Sequence, residues 1–89
     1  MKGSEKQIKW AKDIQAKALE NITKATAMAY AEAEGEELNM NLFNEYRTKI
    51  ETCEDAKWFI DVVRHHSDDS AFYWMEEGDE EESRETLGL

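Results

Sequence analysis

The chain has 89 residues, 36% of them charged, and a formal net charge of −10 at pH 7. A chain of this length forms one domain, with a core too small for an enclosed substrate cavity of ordinary enzyme size. The strong negative charge disfavours DNA, RNA and anionic membranes as partners of the surface as a whole.

The composition predicts an all-α fold. The chain has no proline and only four glycines, strong helix formers dominate, and no segment shows the alternation of a strand. Cys53 is the single cysteine, which excludes an internal disulfide and a cysteine metal cluster. No apolar segment follows Met1, so neither a secretory signal nor a membrane span is predicted, and the protein is expected to be cytoplasmic.

The first predicted element is a long amphipathic helix near residues 5–33. At about 100° per residue, its apolar side chains share one broad side, namely Ile8, Trp10, Ala11, Ile14, Ala18, Leu19, Ile22, Ala25, Met28 and Ala29. Ser4 and Gln7 have the spacing of a capping box at its start. Gly35 is expected to provide a left-handed stop after its end. The pattern is compatible with either a continuous helix or a break near residues 21–26.

A second helix is expected near residues 38–51, capped by Asn39 or Asn41. A third is expected near residues 53–66, capped by Thr52.

These helices predict a small three-helix antiparallel bundle or an open helical hairpin. A short fourth helix over residues 68–77, ended by Gly78, is a further option. The predicted core consists of Ile8, Ile14, Ile22, Tyr46, Ile50, Phe59, Ile60 and Val63.

Charge is distributed unevenly along the chain. Residues 1–24 carry a net charge of +3, whereas residues 68–85 contain nine acids and one arginine. The expected organisation is therefore a helical domain over residues 1–77 and an acidic tail over residues 78–89. Since the tail lacks apolar periodicity, we expect it to be mobile.

Two sequence blocks resemble the signatures of a known group of small helical proteins. The first, GSEKQIKWA, spans Gly3–Ala11, and the second, AKWFID, spans Ala56–Asp61. The group comes from bacteriophages, plasmids and integrated elements of bacteria, and its pattern has an arginine two residues after the aspartate. Here Arg64 stands three residues after Asp61. The resemblance implies a helical fold and a phage or mobile-element setting, and it implies no known chemistry.

Metal binding and catalysis find little support in the residue pattern. His65 and His66, near Asp61, Asp68 and Asp69, are of the types that bind zinc or manganese, but adjacent histidines on a helix point about 100° apart. Cys53 has no cysteine-hydrolase signature around it, and the chain has no glycine-rich phosphate loop. We therefore expect no enzyme, no metal and no cofactor.

The lysines of residues 1–24 provide one argument for nucleic-acid binding, because they interleave with Trp10 as a basic-aromatic face. They are Lys2, Lys6, Lys9, Lys12, Lys17 and Lys24. The acids elsewhere in the chain repel phosphates, and Trp10 is interpreted as a core residue at the edge of the apolar side. Direct nucleic-acid binding is therefore not expected.

The acidic C-terminal region carries the main functional hypothesis. Carboxylates spaced along a helix and tail can occupy a basic groove in place of phosphates, and small acidic helical phage proteins often resemble inhibitors of host restriction or CRISPR systems in this property. The expected partner is a basic host nuclease or nucleic-acid-binding effector. The predicted binding residues are Asp68, Asp69, Phe72, Trp74, Glu76, Glu77, Asp79, Glu80, Glu81 and Glu82.

Two alternatives concern the aromatic residues. Phe72–Met75 is an aromatic segment beside acids, which would dock into a hydrophobic groove of a partner if the protein is an adaptor. The nine aromatic side chains also exceed what a three-helix bundle easily buries. We therefore expect a homodimer or another partner to cover part of Trp10, Phe43, Trp58 or Trp74.

Overall fold

The computed structural model describes residues 1–35, 40–67 and 80–89. Within these ranges the chain is helical and contains no strand beyond an isolated parallel bridge between Lys2 and Asp55. The elements are α1 (Glu5–Ala33), α2 (Asn41–Thr52), α3 (Ala56–Asp61), a 3₁₀ turn (Val63–His65) and α4 (Glu80–Leu87). The predicted all-α fold with a long N-terminal helix is confirmed. None of the helices in the described ranges is both long and apolar enough to cross a membrane.

Helix α1 begins with the predicted capping box. The Gln7 amide donates to Ser4 Oγ at 3.2 Å, and the Ser4 amide donates to Gln7 Oε1 at 2.9 Å. The helix is continuous for 29 residues, without a break near residues 21–26. Its end differs slightly from the prediction, because the left-handed conformation starts at Glu34 (φ 50°) and continues at Gly35 (φ 88°).

The starts of α2 and α3 correct the predicted caps of both helices. Asn41 is the first residue of α2 rather than its cap, and Met40 before it makes no capping side-chain bond; Asn39 lies outside the described residues. Thr52 is the last residue of α2, and its hydroxyl donates to the Thr48 carbonyl at 2.8 Å. Asp55 caps α3 instead, since its carboxylate accepts from the Lys57 amide at 3.0 Å.

The third helix is shorter than predicted. It ends at Asp61, and Val62 (φ −115°, ψ −65°) leads into the 3₁₀ turn, so the expectation of a helix to residue 66 is wrong. Carbonyls just beyond the break accept bonds from side chains on other helices. Tyr46 Oη donates to the His66 carbonyl at 3.0 Å, and Asn21 Nδ2 donates to the Ser67 carbonyl. These tertiary bonds take the place of further helical bonds.

The core lies where α1 packs against α3 and α2. Most of the predicted core side chains are buried, whereas Ile8 and Ile60 are only half-buried. Two of the aromatic residues that are expected to need a covering partner are covered by the chain itself, at least in part. Phe43 is buried, and Trp58 is half-buried against the core. The buried predicted residues are Ile14, Ile22, Tyr46, Ile50, Phe59 and Val63.

Trp10 is not part of the core. Its side chain is 44% exposed, which corrects the interpretation of this residue as internal. A residue at the edge of the apolar side of α1 can be buried or exposed, and the helical periodicity is compatible with either position.

The C-terminal residues also differ from the prediction. A mobile tail is expected over residues 78–89, but residues 80–87 form helix α4, which packs on α2. Leu87 is fully buried in the same core as α1, α2 and α3. The other predicted C-terminal helix, over residues 68–77, lies outside the described residues.

The residues before α1 are tied to the α2–α3 junction. The Lys2 amide donates to the Glu54 carbonyl, and the Ala56 amide donates to the Lys2 carbonyl at 3.0 Å. The α-amino group of Met1 lies 2.9 Å from a carboxylate oxygen of Glu54. This hydrogen bond and the positive charge hold the pKa of Glu54 below its ordinary value.

Candidate functional site

Helix α4 carries the part of the predicted binding surface that the structure describes. Glu80 is the first residue of this helix, and the side chains of Glu81 and Glu82 are exposed. With Glu85, the helix has four glutamates and one arginine in eight residues. The remaining predicted binding residues lie outside the described ranges: Asp68, Asp69, Phe72, Trp74, Glu76, Glu77 and Asp79.

The C-terminal end of α4 is anchored by Trp58 and Lys49. Trp58 Nε1 donates to the Leu87 carbonyl at 2.9 Å, and Lys49 Nζ donates to the Gly88 carbonyl. The same Lys49 ammonium lies 4.8 Å from the centre of the Trp58 ring, an arrangement that favours a cation–π interaction. These contacts supplement the burial of Leu87.

An ion pair joins the middle of α4 to α2. Arg84 Nη2 lies 2.9 Å from Glu45 Oε2, and Arg84 Nε donates to the same oxygen at 3.1 Å. The backbone of α4 is therefore held against α2, so the fold sets the positions from which Glu81, Glu82 and Glu85 project.

A second surface is a groove between α1 and the segment that follows α3. Its volume is about 470 Å³, and its lining combines apolar and charged side chains. The guanidinium carbon of Arg64 lies 4.9 Å from the centre of the exposed Trp10 ring. The lining residues are Trp10, Asp13, Ile14, Lys17, Asn21, Arg64 and Ser67.

The geometry of the groove follows from α1 and from the break after α3. The five α1 residues of the lining are spaced at three- and four-residue intervals, so they share one face of the helix. The 3₁₀ turn places Arg64 against Trp10, and the hydrogen bond from Asn21 to the Ser67 carbonyl joins the two walls. Lys17 and Arg64 contribute positive charge to the groove, against the single carboxylate of Asp13.

Sequence reasoning identified only part of this groove. The interleaving of Trp10 with lysines pointed to a basic-aromatic face that includes Lys17. The sequence relates Arg64 only to its neighbour Asp61, and no local signal indicates its contact with Trp10. The two residues lie far apart in the sequence and meet only because α3 ends early.

Metal-binding geometry is absent from the part of the chain that the structure describes. No group of three or more His, Cys, Asp or Glu side chains there is placed to hold a metal ion. His65 Nε2 lies 3.1 Å from Arg64 Nη2. Two further residues of the metal site weighed from the sequence, Asp68 and Asp69, lie outside the described ranges. Cys53 is a half-buried free thiol.

The raised pKa of Tyr46 has a structural cause outside both surfaces. Its hydroxyl is desolvated by burial, which raises the pKa well above the ordinary value.

Comparison of the chain with protein-family models, with curated proteins and with solved structures found no match.

Proposed function

We propose that this protein is a non-enzymatic inhibitor that binds a basic, nucleic-acid-binding host protein and presents carboxylates where that protein expects phosphates. The observation that carries this proposal is the docking of the acidic helix α4. Leu87 is buried in the core, Trp58 of α3 donates to the Leu87 carbonyl, and Arg84 pairs with Glu45 of α2.

Docking matters because a mimic must hold its charges in place. A helix already packed on the core loses less conformational freedom on binding than an unstructured acidic tail, so more of the interaction energy appears as affinity. The exposed Glu81, Glu82 and Glu85 would also attract a basic groove over a distance and raise the association rate.

The setting of the proposal comes from the resemblance of the blocks Gly3–Ala11 and Ala56–Asp61 to phage, plasmid and integrated-element proteins. In such a setting, the basic host proteins that act on foreign DNA are nucleases and CRISPR or restriction effectors. The proposed inhibitor would act in the cytoplasm, where those targets bind nucleic acid.

An affinity pull-down from a lysate of the bacterial host, performed at about 0.05 M and about 0.5 M salt, tests the proposal. We expect a basic nucleic-acid-binding protein to be retained at low salt and released at high salt, because screening weakens the attraction between exposed charges. Added double-stranded DNA should displace the same protein, since both ligands would compete for one groove.

Charge-reversal variants identify the surface involved. The triple variant Glu81→Lys, Glu82→Lys and Glu85→Lys should slow association with the captured protein by about tenfold or more. The matched control reverses Glu20, Glu32 and Glu34 on and just after α1, which are also exposed. It changes the net charge equally and should slow association far less.

Circular dichroism and melting of both triple variants verify that they remain folded. Capture of a metabolic enzyme through a contact that salt does not weaken would contradict the proposal. Equal slowing by the two triple variants would also contradict it, because net charge rather than α4 would then govern association.

A further inference from the structure

Trp10 stands out among the exposed side chains of the described residues. It is the largest of the exposed apolar side chains there, and smaller apolar residues fill the core. Tryptophan combines a large apolar surface with a polar N–H, and it is enriched where proteins contact partners. The exposure of Trp10 therefore marks a candidate contact surface distinct from α4.

The groove around Trp10 is already formed. Arg64 lies against the indole ring at 4.9 Å, and the bond from Asn21 to the Ser67 carbonyl ties the opposite wall to α1. Ile14, only 9% exposed, contributes an apolar lining beside the ring. A ligand would find the apolar surface and both cations in place, which lowers the entropy cost of binding.

The charge of the groove is opposite to that of the whole chain. Lys17 and Arg64 line this groove together with a single carboxylate, that of Asp13, in a protein of net charge −10. Within the described residues, neither Lys17 nor Arg64 forms an ion pair with a carboxylate within 4 Å. Among the residues that the structure describes, no carboxylate therefore competes with an incoming anion for either cation.

We infer that this groove binds a short acidic peptide segment of a partner protein. An apolar or aromatic side chain of the segment contacts Trp10 and Ile14, and its flanking carboxylates pair with Lys17 and Arg64. Asp13 accepts a hydrogen bond from a backbone N–H of the peptide. The volume of about 470 Å³ lies within the range of about 300–1,000 Å³ that is typical of ligand sites.

A peptide fits this groove better than a nucleic acid does. Affinity for DNA or RNA grows with the number of phosphates that cations neutralise, and the groove offers only two cations beside one carboxylate. The surrounding excess of acid also repels a long polyanion more strongly than a short peptide with few charges. The inference does not depend on the acidic surface of α4.

Fluorescence anisotropy with a labelled hexapeptide tests the inference on the full chain. The probe has a central leucine–tryptophan pair flanked on each side by two glutamates, and the matched peptide has glutamines in place of the glutamates. We expect the acidic probe to bind with a Kd below about 1 mM and the glutamine peptide to bind at least about tenfold more weakly. The indole N–H resonance of Trp10, assigned with Trp10→Phe, should shift on titration.

Single substitutions locate the binding site. Lys17→Glu and Arg64→Glu should each weaken binding of the acidic probe by about fivefold or more, and the double variant by more than either. The control is Lys57→Glu, an exposed lysine on α3 that does not line the groove. It changes the net charge like each single variant and should alter the affinity by less than about twofold.

Five outcomes would overturn the inference. Two concern the peptides: no binding of the acidic probe at about 1 mM, and equal binding of the acidic and glutamine peptides. Two others are an equal effect of Lys57→Glu and Lys17→Glu on the affinity, and tighter binding of a labelled single-stranded oligonucleotide than of the acidic probe. Light scattering that shows a dimer, lost in Lys17→Glu, would also overturn it, because a second copy of this chain would then occupy the groove.

Discussion

The indole nitrogen of Trp58 donates a 2.9 Å hydrogen bond to the main-chain carbonyl of Leu87. The bond connects α3, which carries the second resemblance block, with the last residue of the acidic helix α4. Trp58 also packs edge-to-face against Phe59, with ring centres 5.1 Å apart. One side chain therefore links the core to the proposed binding surface.

Trp58→Phe should release the C-terminal end of α4 without opening the core. The variant keeps an aromatic ring but leaves the Leu87 carbonyl without its donor and weakens the contact with Lys49, at a cost of about 1–2 kcal/mol. Amide hydrogen exchange of residues 80–87 should accelerate more than that of α1. Trp10→Phe, at an exposed position, is the control and should change stability by less than about 0.5 kcal/mol. Unchanged hydrogen exchange of residues 80–87 in Trp58→Phe would contradict the role of Trp58 in anchoring α4.

Ser83→Ala should stabilise the protein. Ser83 is fully buried on α4, and within the described structure its hydroxyl has no hydrogen-bond partner. Removing a buried unpaired hydroxyl relieves a desolvation cost of about 1 kcal/mol, and alanine has the higher helix propensity. Denaturant unfolding measures the change. Ser4→Ala, which removes the cap of α1, is the control and should instead destabilise the protein by about 1 kcal/mol. A loss of stability in Ser83→Ala would show that the Ser83 hydroxyl is hydrogen-bonded.

Tyr46→Phe should narrow or reverse its stability difference from the parent protein at alkaline pH. Burial raises the pKa of Tyr46 in the folded state above about 10, its value in an unfolded chain. The native state therefore favours the protonated phenol, so this stabilisation is complete below about pH 10 and is lost as pH rises towards the folded-state pKa, by up to about 1.4 kcal/mol per pH unit.

Urea unfolding at about pH 8 and about pH 11 measures this effect. Near pH 8 the phenylalanine variant should be less stable by about 1 kcal/mol, because the bond to the His66 carbonyl is lost. Near pH 11 the difference should shrink or change sign. Lysine titration affects both proteins alike, so a difference independent of pH would show that Tyr46 keeps an ordinary pKa.

Gly3→Ala should weaken the connection between the residues before α1 and the α2–α3 junction. Gly3 has φ +140°, and an added Cβ would lie 3.0 Å from the Ala56 Cβ and 3.2 Å from Gln7 Oε1. Backbone strain and crowding together should cost about 2–3 kcal/mol. Gly35→Ala is the control, because Gly35 has φ +88° with no atom near the added Cβ. It should cost only about 1 kcal/mol, and equal melting shifts would contradict the crowding at Gly3.

The sequence by itself determined the long helix α1. Its capping box joins residues three apart, and its apolar side repeats every three or four residues, so short-range interactions suffice to define it. The burial of Ile14 and Ile22 also follows from this periodicity. For the candidate site, composition alone pointed to the glutamates of α4.

Only the tertiary structure decided where α3 ends, that α4 is docked, and that Trp10 is exposed beside Arg64. Each result depends on contacts between residues far apart in the chain: Tyr46 with His66, Asn21 with Ser67, and Trp58 with Leu87. Propensity and periodicity describe a segment against its own neighbours, whereas these bonds form only once helices pack. A further helical turn or a short isolated helix changes the free energy of the chain only slightly. Contacts with distant residues therefore decide whether such a turn or helix forms.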